Sequence, residues 1–430
     1  MTSRVSAIVS CCLLLAFPGS TAMSVVLMLL SVFVSLAPQY FLPIIAVASV
    51  SSIFDVFGCA AMFVYLALFV LSLVARSRQM RFPDKRLLTV IGLFGVWTFV
   101  CCMNSVSGQY YPAVRLSVIM LLIVFCSCVS NMRSDSLLRA FTTVIPYCLV
   151  VCLVKLLVFP KYYVIEGTYV DIIRLSLFED MNPNEIALFV ALCCVASFIE
   201  SIQSRRFRML LVPVIGLIVL FVLKSRTSFY SSIVICSIYF VCSYRIKVWK
   251  KVGLLVMIAT LAYGLISLLP DDSNMSEREM TLVSILDDSG SGRFDTWIIL
   301  QNIIPQHLGT GIGLGRENYK KLGLDYDADN LYFDLMAETG IAGTVIFLLM
   351  TVLLFVSLAR IRSDMSSVAR YAIGLMLVCG IGETLFDSQI FWYVIFMALL
   401  CIRADYTPKA DTKGPKRRKY RLPEIRNHKE

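Results

Sequence analysis

A chain of 430 residues that is 58% hydrophobic and only 16% charged does not match a soluble domain, which is about 45–50% apolar and about 25% charged. Its formal net charge of +10 does not make it a nucleic-acid binder, because the basic residues fall in short clusters between apolar runs. Its two histidines, His307 and His428, exclude a His-rich metal site; its fifteen cysteines lie nearly all inside apolar runs, show no CxxC spacing, and read as small packing residues.

Apolar runs of about 18 residues or more recur along most of the length, each able to cross a ~30 Å hydrocarbon core as a helix. They predict an all-α polytopic membrane protein. The run "VSAIVSCCLLLAF" after Arg4 is compatible with a signal-like segment. One span is expected near 24–37, then others at 56–75, 87–103, 113–130, 138–159, 183–199, 209–223, 227–244, 251–269, 331–358, 370–386 and 388–402. Basic clusters at 76–86 ("RSRQMRFPDKR"), 205–208 ("RRFR"), 245–251 ("RIKVWKK") and 360–370, together with the tail from Arg403, mark the cytoplasmic side. The expected topology is twelve spans with both termini cytoplasmic; three short spans before residue 55 would give fourteen. The chain divides into a bundle over 1–269, a large outer loop over 270–330, C-terminal spans over 331–402, and a basic tail over 403–430 that reads as an anchor to anionic lipid.

Two outer loops are long, 160–182 and 270–330, and the second holds eleven acidic and five basic residues. Loops of that length are usually functional or disordered, so function is expected on the outer face, with short helices in the larger loop. Four outward features stand out. "SRT" at 225–227 joins two spans with almost no loop and puts Arg226 at the membrane–water boundary, where a guanidinium either snorkels or binds phosphate. In "GSGRFDTWIILQNIIPQHLGTGIGLGRENY", Arg293 precedes an apolar stretch with Trp297, which reads as a helix lying on the membrane with the indole at headgroup level. Pro305 ends it, and the glycines that follow permit tight turns before Arg316. "GTGIGLG" superficially matches a dinucleotide fingerprint, but no strand precedes it and no βαβ unit surrounds it. Both arginines could instead pair with the loop's own carboxylates.

The third feature is "DADNLYFDLMAETGIAG" at 327–343. Asp327, Asp329 and Asn330 stand where a helix cap is expected. Asp334 and Glu338, at i and i+4, share a helix face, which should turn toward the bundle or a wet cavity. The fourth is "FEDMNPNEIALF" at 178–189 with "GETLFDSQ" at 382–389. Asn184 and Glu185 begin a span after Pro183, and Glu383 and Asp387 repeat the i, i+4 spacing, reading as counter-ions for outward arginines such as Arg174. Arginines and carboxylates at one rim suit a lipid-linked pyrophosphate leaving group and a sugar hydroxyl that gives its proton to a carboxylate.

Arg293 with Trp297, Pro305 followed by Gly309, Gly311 and Gly313, the pair Asp329-Asn330, "AETGIAG" at 337–343, "SRT" at 225–227 and "NPNEIA" at 182–187 together resemble the O-antigen ligase and polymerase superfamily. The resemblance implies a metal-independent membrane glycosyltransferase without cofactor. It would act on undecaprenyl-pyrophosphate-linked oligosaccharide at the periplasmic face of the bacterial inner membrane. Its partners would be that carrier, membrane lipid and a chain-length regulator protein, with no nucleic acid. The ligase branch usually has His-Asn where this chain has Asp329-Asn330, which favours the polymerase branch. A polymerase spacing of ten residues between Arg and Gly is not met, because Glu185 follows Arg174 and Ile304 follows Arg293 at that distance. On this reading Arg226 and Arg293 hold pyrophosphate, with Arg174 and Arg316 secondary. Asp329 is the first candidate for the base and Glu338 the second, while Asn184, Asn330 and Trp297 join the substrate-binding group. The rivals are a ligase that joins glycan to lipid A core and a flippase for the same lipid-linked units. No internal repeat supports a transporter, and the polar residues gather at outer ends apart from Lys155.

Overall fold

The structure, a computed structural model, describes residues 1–17, 21–50, 61–76, 84–130, 132–165, 172–178, 182–243, 253, 293–324, 327–386 and 388–405. The span expected at 251–269 (residue 253 apart), the cluster at 245–251, most of the outer loop before Arg293, Asp387 and the tail beyond 405 lie outside the described residues. The helices are α1 Thr2–Ala16, α2 Thr21–Ser35, α3 Phe41–Ala48, α4 Ala61–Val74, α5 Lys85–Met103, α6 Tyr111–Val129, α7 Ser134–Val158, α8 Pro183–Ser204, α9 Leu211–Val222, α10 Arg226–Cys242, α11 Arg293–Ile303, α12 Arg316–Lys321, α13 Leu331–Ala359, α14 Asp364–Cys379 and α15 Gln389–Asp405. Between α7 and α8, β1 Lys161–Ile165 and β2 Ile172–Ser176 pair antiparallel with Tyr163 opposite Arg174. The loop expected at 160–182 therefore holds a hairpin, built from the β-branched and aromatic runs "KYYVI" and "IIRLS".

Among the described residues, α5, α6, α7, α8 and α13 are long and apolar enough to cross a membrane, and several shorter apolar helices accompany them. This is an all-α multi-pass membrane protein apart from the hairpin. The described residues do not by themselves establish the twelve spans expected. Where one span was expected before residue 55, three helices stand, and α3 with eight residues is too short to cross unaided. The signal-like run forms α1, whose Ala7, Cys11, Leu14 and Leu15 are fully buried.

Burial sorts the helices by depth. Every residue of α15 from 390 to 402 is buried, and so is almost all of α8, as an all-round apolar helix at a bundle centre must be. Outer helices bury one face only. On α5 the exposed stripe is Leu93, Val96 and Phe99; on α13 it is Val345, Leu348 and Val352. Spacing by three and four residues places each stripe on one side, toward lipid.

Direct contacts gather the ends of α5, α7, α9 and α14 and the starts of α6, α8, α10 and α13 at one rim of the bundle. At the opposite end, Ser366 Oγ donates to Leu358 O at 2.6 Å, and Ser363 lies against Cys401. That end carries Arg360, Arg362 and Arg403. Lys155 is near the rim end of its helix, not at mid-membrane depth. Its Nζ donates to Leu15 O at 3.0 Å and sits 3.7 Å from the centre of the Phe178 ring, so one cation caps the last turn of α1 and stacks on an aromatic face.

Candidate functional site at the rim

The site is organised by a break in α13. Asn330 caps the helix, its Oδ1 accepting from Tyr332 N at 3.0 Å and Phe333 N at 3.2 Å. Asp329, one residue earlier, sits at φ +48° and is half-buried. The helix then breaks at Gly340, with φ 66° and ψ −175°. Residues 331–339 form a short piece at the rim. Residues 341–359 measure about 28 Å at 1.5 Å per residue, close to the ~30 Å of a hydrocarbon core. Asp334 and Glu338 thus precede the segment whose length matches the membrane, a correction to the continuous span expected over 331–358.

A break exposes backbone groups, and each needs a partner. Ile312 N donates to Ala337 O at 2.7 Å, Gly313 N to Glu338 O at 3.2 Å, and the Trp97 indole to Thr339 O at 2.9 Å. In return Ile341 N donates to Leu308 O at 3.0 Å. The glycine-rich run 309–315 is therefore a strap lashed across the break. Two glycines make this approach possible. Gly311 and Gly340 both have positive φ, and a Cβ on either would strike the facing backbone, at 337–338 and 308–309 respectively.

The strap is held from its other side too. Asn318, fully buried, accepts from Ser105 Oγ and Ser107 N, both at 2.8 Å, and donates to Leu314 O at 2.9 Å. The α5–α6 connection adds Val106 N to Ile312 O at 3.1 Å. Glu338, 7% exposed, accepts from Gly315 N at 3.2 Å. That places this candidate base beneath the strap.

Asp334 is fully buried and takes three donors: Tyr319 Oη at 2.8 Å and Ala328 N at 3.0 Å on Oδ1, and Thr384 Oγ1 at 2.8 Å on Oδ2. Burial raises the Tyr319 hydroxyl well above the ordinary phenol range, and the nearby Asp334 and Glu338 carboxylates raise it further, so it remains a donor. Trp297 stacks on Phe333 with centroids 5.5 Å apart, and its Nε1 donates to Ala328 O at 2.6 Å. These contacts tie the indole to the protein. The exposed face of α11 mixes Ile298 and Ile299 with Gln301 and Asn302.

The five residues 380–384 join these parts, each to a different partner. Gly380 O accepts Leu331 N at 2.8 Å, and Ile381 O accepts Asn330 Nδ2 at 2.9 Å. A Cβ on Gly382 would lie 3.0 Å from Thr227 Oγ1. Glu383 accepts Asn184 Nδ2 at 2.7 Å, and Thr384 donates to Asp334. Sequence reasoning treated Glu383 as a counter-ion and gave Thr384 no role. The two glycines and two polar residues in "GIGET" are the only trace of this junction in the sequence.

Among the expected anion binders, Arg226 is the first residue of α10 and half-buried, in contact range of the junction through Thr227. Arg174 is 2% exposed and its Nη2 donates to Leu223 O at 3.2 Å and Lys224 O at 3.4 Å, closing the end of α9. Arg316 is exposed at the start of α12. Arg293 begins α11, but its side chain lies outside the described residues.

No curated protein matches the chain. A solved structure described as structural coordination of polymerization and crosslinking by a peptidoglycan synthase complex is 16% identical, covers 75% of this chain and 98% of its own, and superposes with a TM-score of 0.46. Residues 209–348, which carry the SRT turn, the strap and the broken helix, match the family model Wzy_C, O-Antigen ligase. Over that segment the chain is similar to the O-antigen ligase family.

Proposed function

We propose that the protein is a surface-polysaccharide polymerase of O-antigen type, acting at the periplasmic face of the bacterial inner membrane. It would move a growing glycan from undecaprenyl pyrophosphate to the non-reducing end of a new lipid-linked repeat unit. The observation that carries this reading is the junction at 380–384, which holds Asn184, the Arg226 turn, Asn330 and Asp334 of the broken helix at one rim. The termini and basic loops then face the cytoplasm.

In the reaction the bond from the donor sugar's C1 to the pyrophosphate oxygen breaks. A new bond forms from C1 to the acceptor hydroxyl oxygen. The hydroxyl proton goes to a carboxylate, and the pyrophosphate leaves on its lipid with the bonding electrons. Arg226 suits the leaving group because it stands at a helix N-terminus, where the guanidinium and the macrodipole act on an anion with the same sign. Asp329 is the proposed base: it is half-buried beside the cap and more open than Glu338, which is 7% exposed beneath the strap. Arg174 positions the 223–224 turn that leads into Arg226. Arg293 and Arg316 are held to complete the pyrophosphate site from the loop. No metal or cofactor is invoked.

A ligase is the second reading, favoured by the family description over 209–348; Asp329 in the place where ligases usually carry His favours the polymerase. Surface lipopolysaccharide from cells lacking the gene separates them. Core plus a single repeat is expected for the polymerase; bare core would establish the ligase. Purified protein should elongate lipid-linked repeats in detergent with chelator and no ion gradient, and Arg226→Ala should slow this severely. Failure of the wild type to elongate, with intact transport in vesicles, would replace the enzyme by a flippase.

A further inference from the structure

The rim holds a buried carboxylate that the reaction above does not use. Glu383 is 6% exposed and accepts from Asn184 Nδ2 at 2.7 Å, the length of a charge-assisted bond. A carboxylate kept out of water is costly unless its hydrogen bonds hold it. Asn184 lies in the first turn of α8, where Asn182 Oδ1 accepts its backbone N–H at 3.0 Å. Asn184 is thus fixed before it reaches Glu383. One residue back along the chain, Gly382 lies against Thr227 so closely that a Cβ would come to 3.0 Å from its hydroxyl. On the opposite flank, Arg174 grips the carbonyls of Leu223 and Lys224. The α9–α10 turn is therefore clamped at 223–224 by the hairpin and at 227 by the α14–α15 connection, with Arg226 between the clamps. The N-termini of α8, α10 and α13 all meet this connection, and their positive ends favour a resident carboxylate.

We propose that Glu383 is a positioning residue for Arg226. By bonding Asn184 it pins residues 382–383 to α8, and Gly382 then backs Thr227 so that Arg226 is presented to the donor's pyrophosphate. This rests on the proposed transfer from a lipid pyrophosphate, in which Arg226 meets the leaving group.

Two measurements on the full-length protein in detergent test it. In hydrogen exchange, Glu383→Ala should speed exchange in the peptide covering 223–230 and leave 358–370, at the basic end, unchanged. Equal exchange at 223–230 overturns the proposal whatever the protein catalyses. In elongation assays with lipid-linked repeats, Glu383→Ala should lower kcat/KM by about 10- to 100-fold, the factor carried by one hydrogen bond to a charged group. Glu383→Gln should recover most of the loss, because its amide oxygen accepts from the same Asn184 donor. In an Arg226→Ala background with residual activity, Glu383→Ala should change kcat/KM by no more than about twofold. A full additional loss there would show that Glu383 acts elsewhere and would overturn the proposal. Should the wild type not elongate at all, the polymerase reading fails, and the exchange experiment alone decides the pinning.

Discussion

Replacing Asp334 with Ala removes three hydrogen bonds at once, and the structure says which losses matter. Tyr319 and Ala328 are fully buried, so the phenol hydroxyl and the backbone N–H lose their acceptor without gaining water. Each orphaned group costs about 1–3 kcal/mol. Thr384 is half-exposed and recovers a water, so its loss is small. The expected penalty is about 2–6 kcal/mol, comparable with the whole stability of many domains. Because Tyr319 and Ala328 belong to the outer loop and Thr384 to the α14–α15 connection, the loss should appear as local opening of 293–330 before the bundle melts. Asp334→Asn is the informative partner. Its carbonyl oxygen can keep Tyr319 and Ala328, and the Thr384 hydroxyl can turn to accept from the new amide. Only charge assistance is lost, about 1 kcal/mol. Limited proteolysis and thermal unfolding in detergent should therefore rank wild type, Asn and Ala in that order, with early cleavage in 293–330 for Ala. Equal protection of wild type and Asp334→Ala, or equal damage from Asn and Ala, would refute the assignment of these three bonds.

Gly311→Ala should detach the strap, since φ +72° and the facing backbone at 337–338 leave no place for a methyl; faster exchange at 308–315 with an intact thermal midpoint for the bundle would register it. Trp297→Phe keeps the stack on Phe333 but loses the bond to Ala328 O, about 1 kcal/mol, read as a small rise in loop proteolysis. Asp329→Asn should lower kcat for elongation by about 100-fold or more, the range for a lost general base. Glu338→Gln should stay near wild type, because its amide oxygen still accepts from Gly315 N; the opposite ranking would move the base to Glu338.

Long apolar runs made the membrane helices legible, and the predicted spans at 87–103, 113–130, 138–159 and 183–199 fall on α5 to α8. Ends were less legible. The span expected to reach 386 stops at Cys379, because residues 380–384 are used in cross-bundle contacts that no local pattern encodes. The break at Gly340 is hidden for the same reason: apolar residues continue on both sides, and only the Leu308–Gly309 carbonyls reveal why a side chain is refused there. The i, i+4 spacing of Asp334 and Glu338 pointed both into the protein, where both are buried, yet it could not tell which would anchor the outer loop and the α14–α15 connection and which would hold the strap. Asn330 was legible as a cap by residue type; that Asp327 and Asp329 lie outside it was not. Arg174 was legible as an outer-loop arginine; that its buried guanidinium closes the end of α9 was not.

The carboxylates of "DADNLYFDLMAETGIAG" pose a problem of depth, and the broken helix resolves it. An unbroken α13 of 29 residues would be about 43 Å long, well beyond the ~30 Å core, and would have to tilt steeply or carry its acidic turn toward lipid. Breaking at Gly340 leaves a segment of matching length in the membrane and turns the remaining nine residues into part of the rim. The break in turn creates unsatisfied carbonyls at 337–339. The glycine-rich run is suited to answer them because its backbone N–H groups can approach without side chains intervening. Helix break, strap and rim carboxylates are thus one solution to one constraint. The same geometry leaves Asp329 half-buried at the cap, joined through Asn330 and residues 381–382 to the turn that carries Arg226.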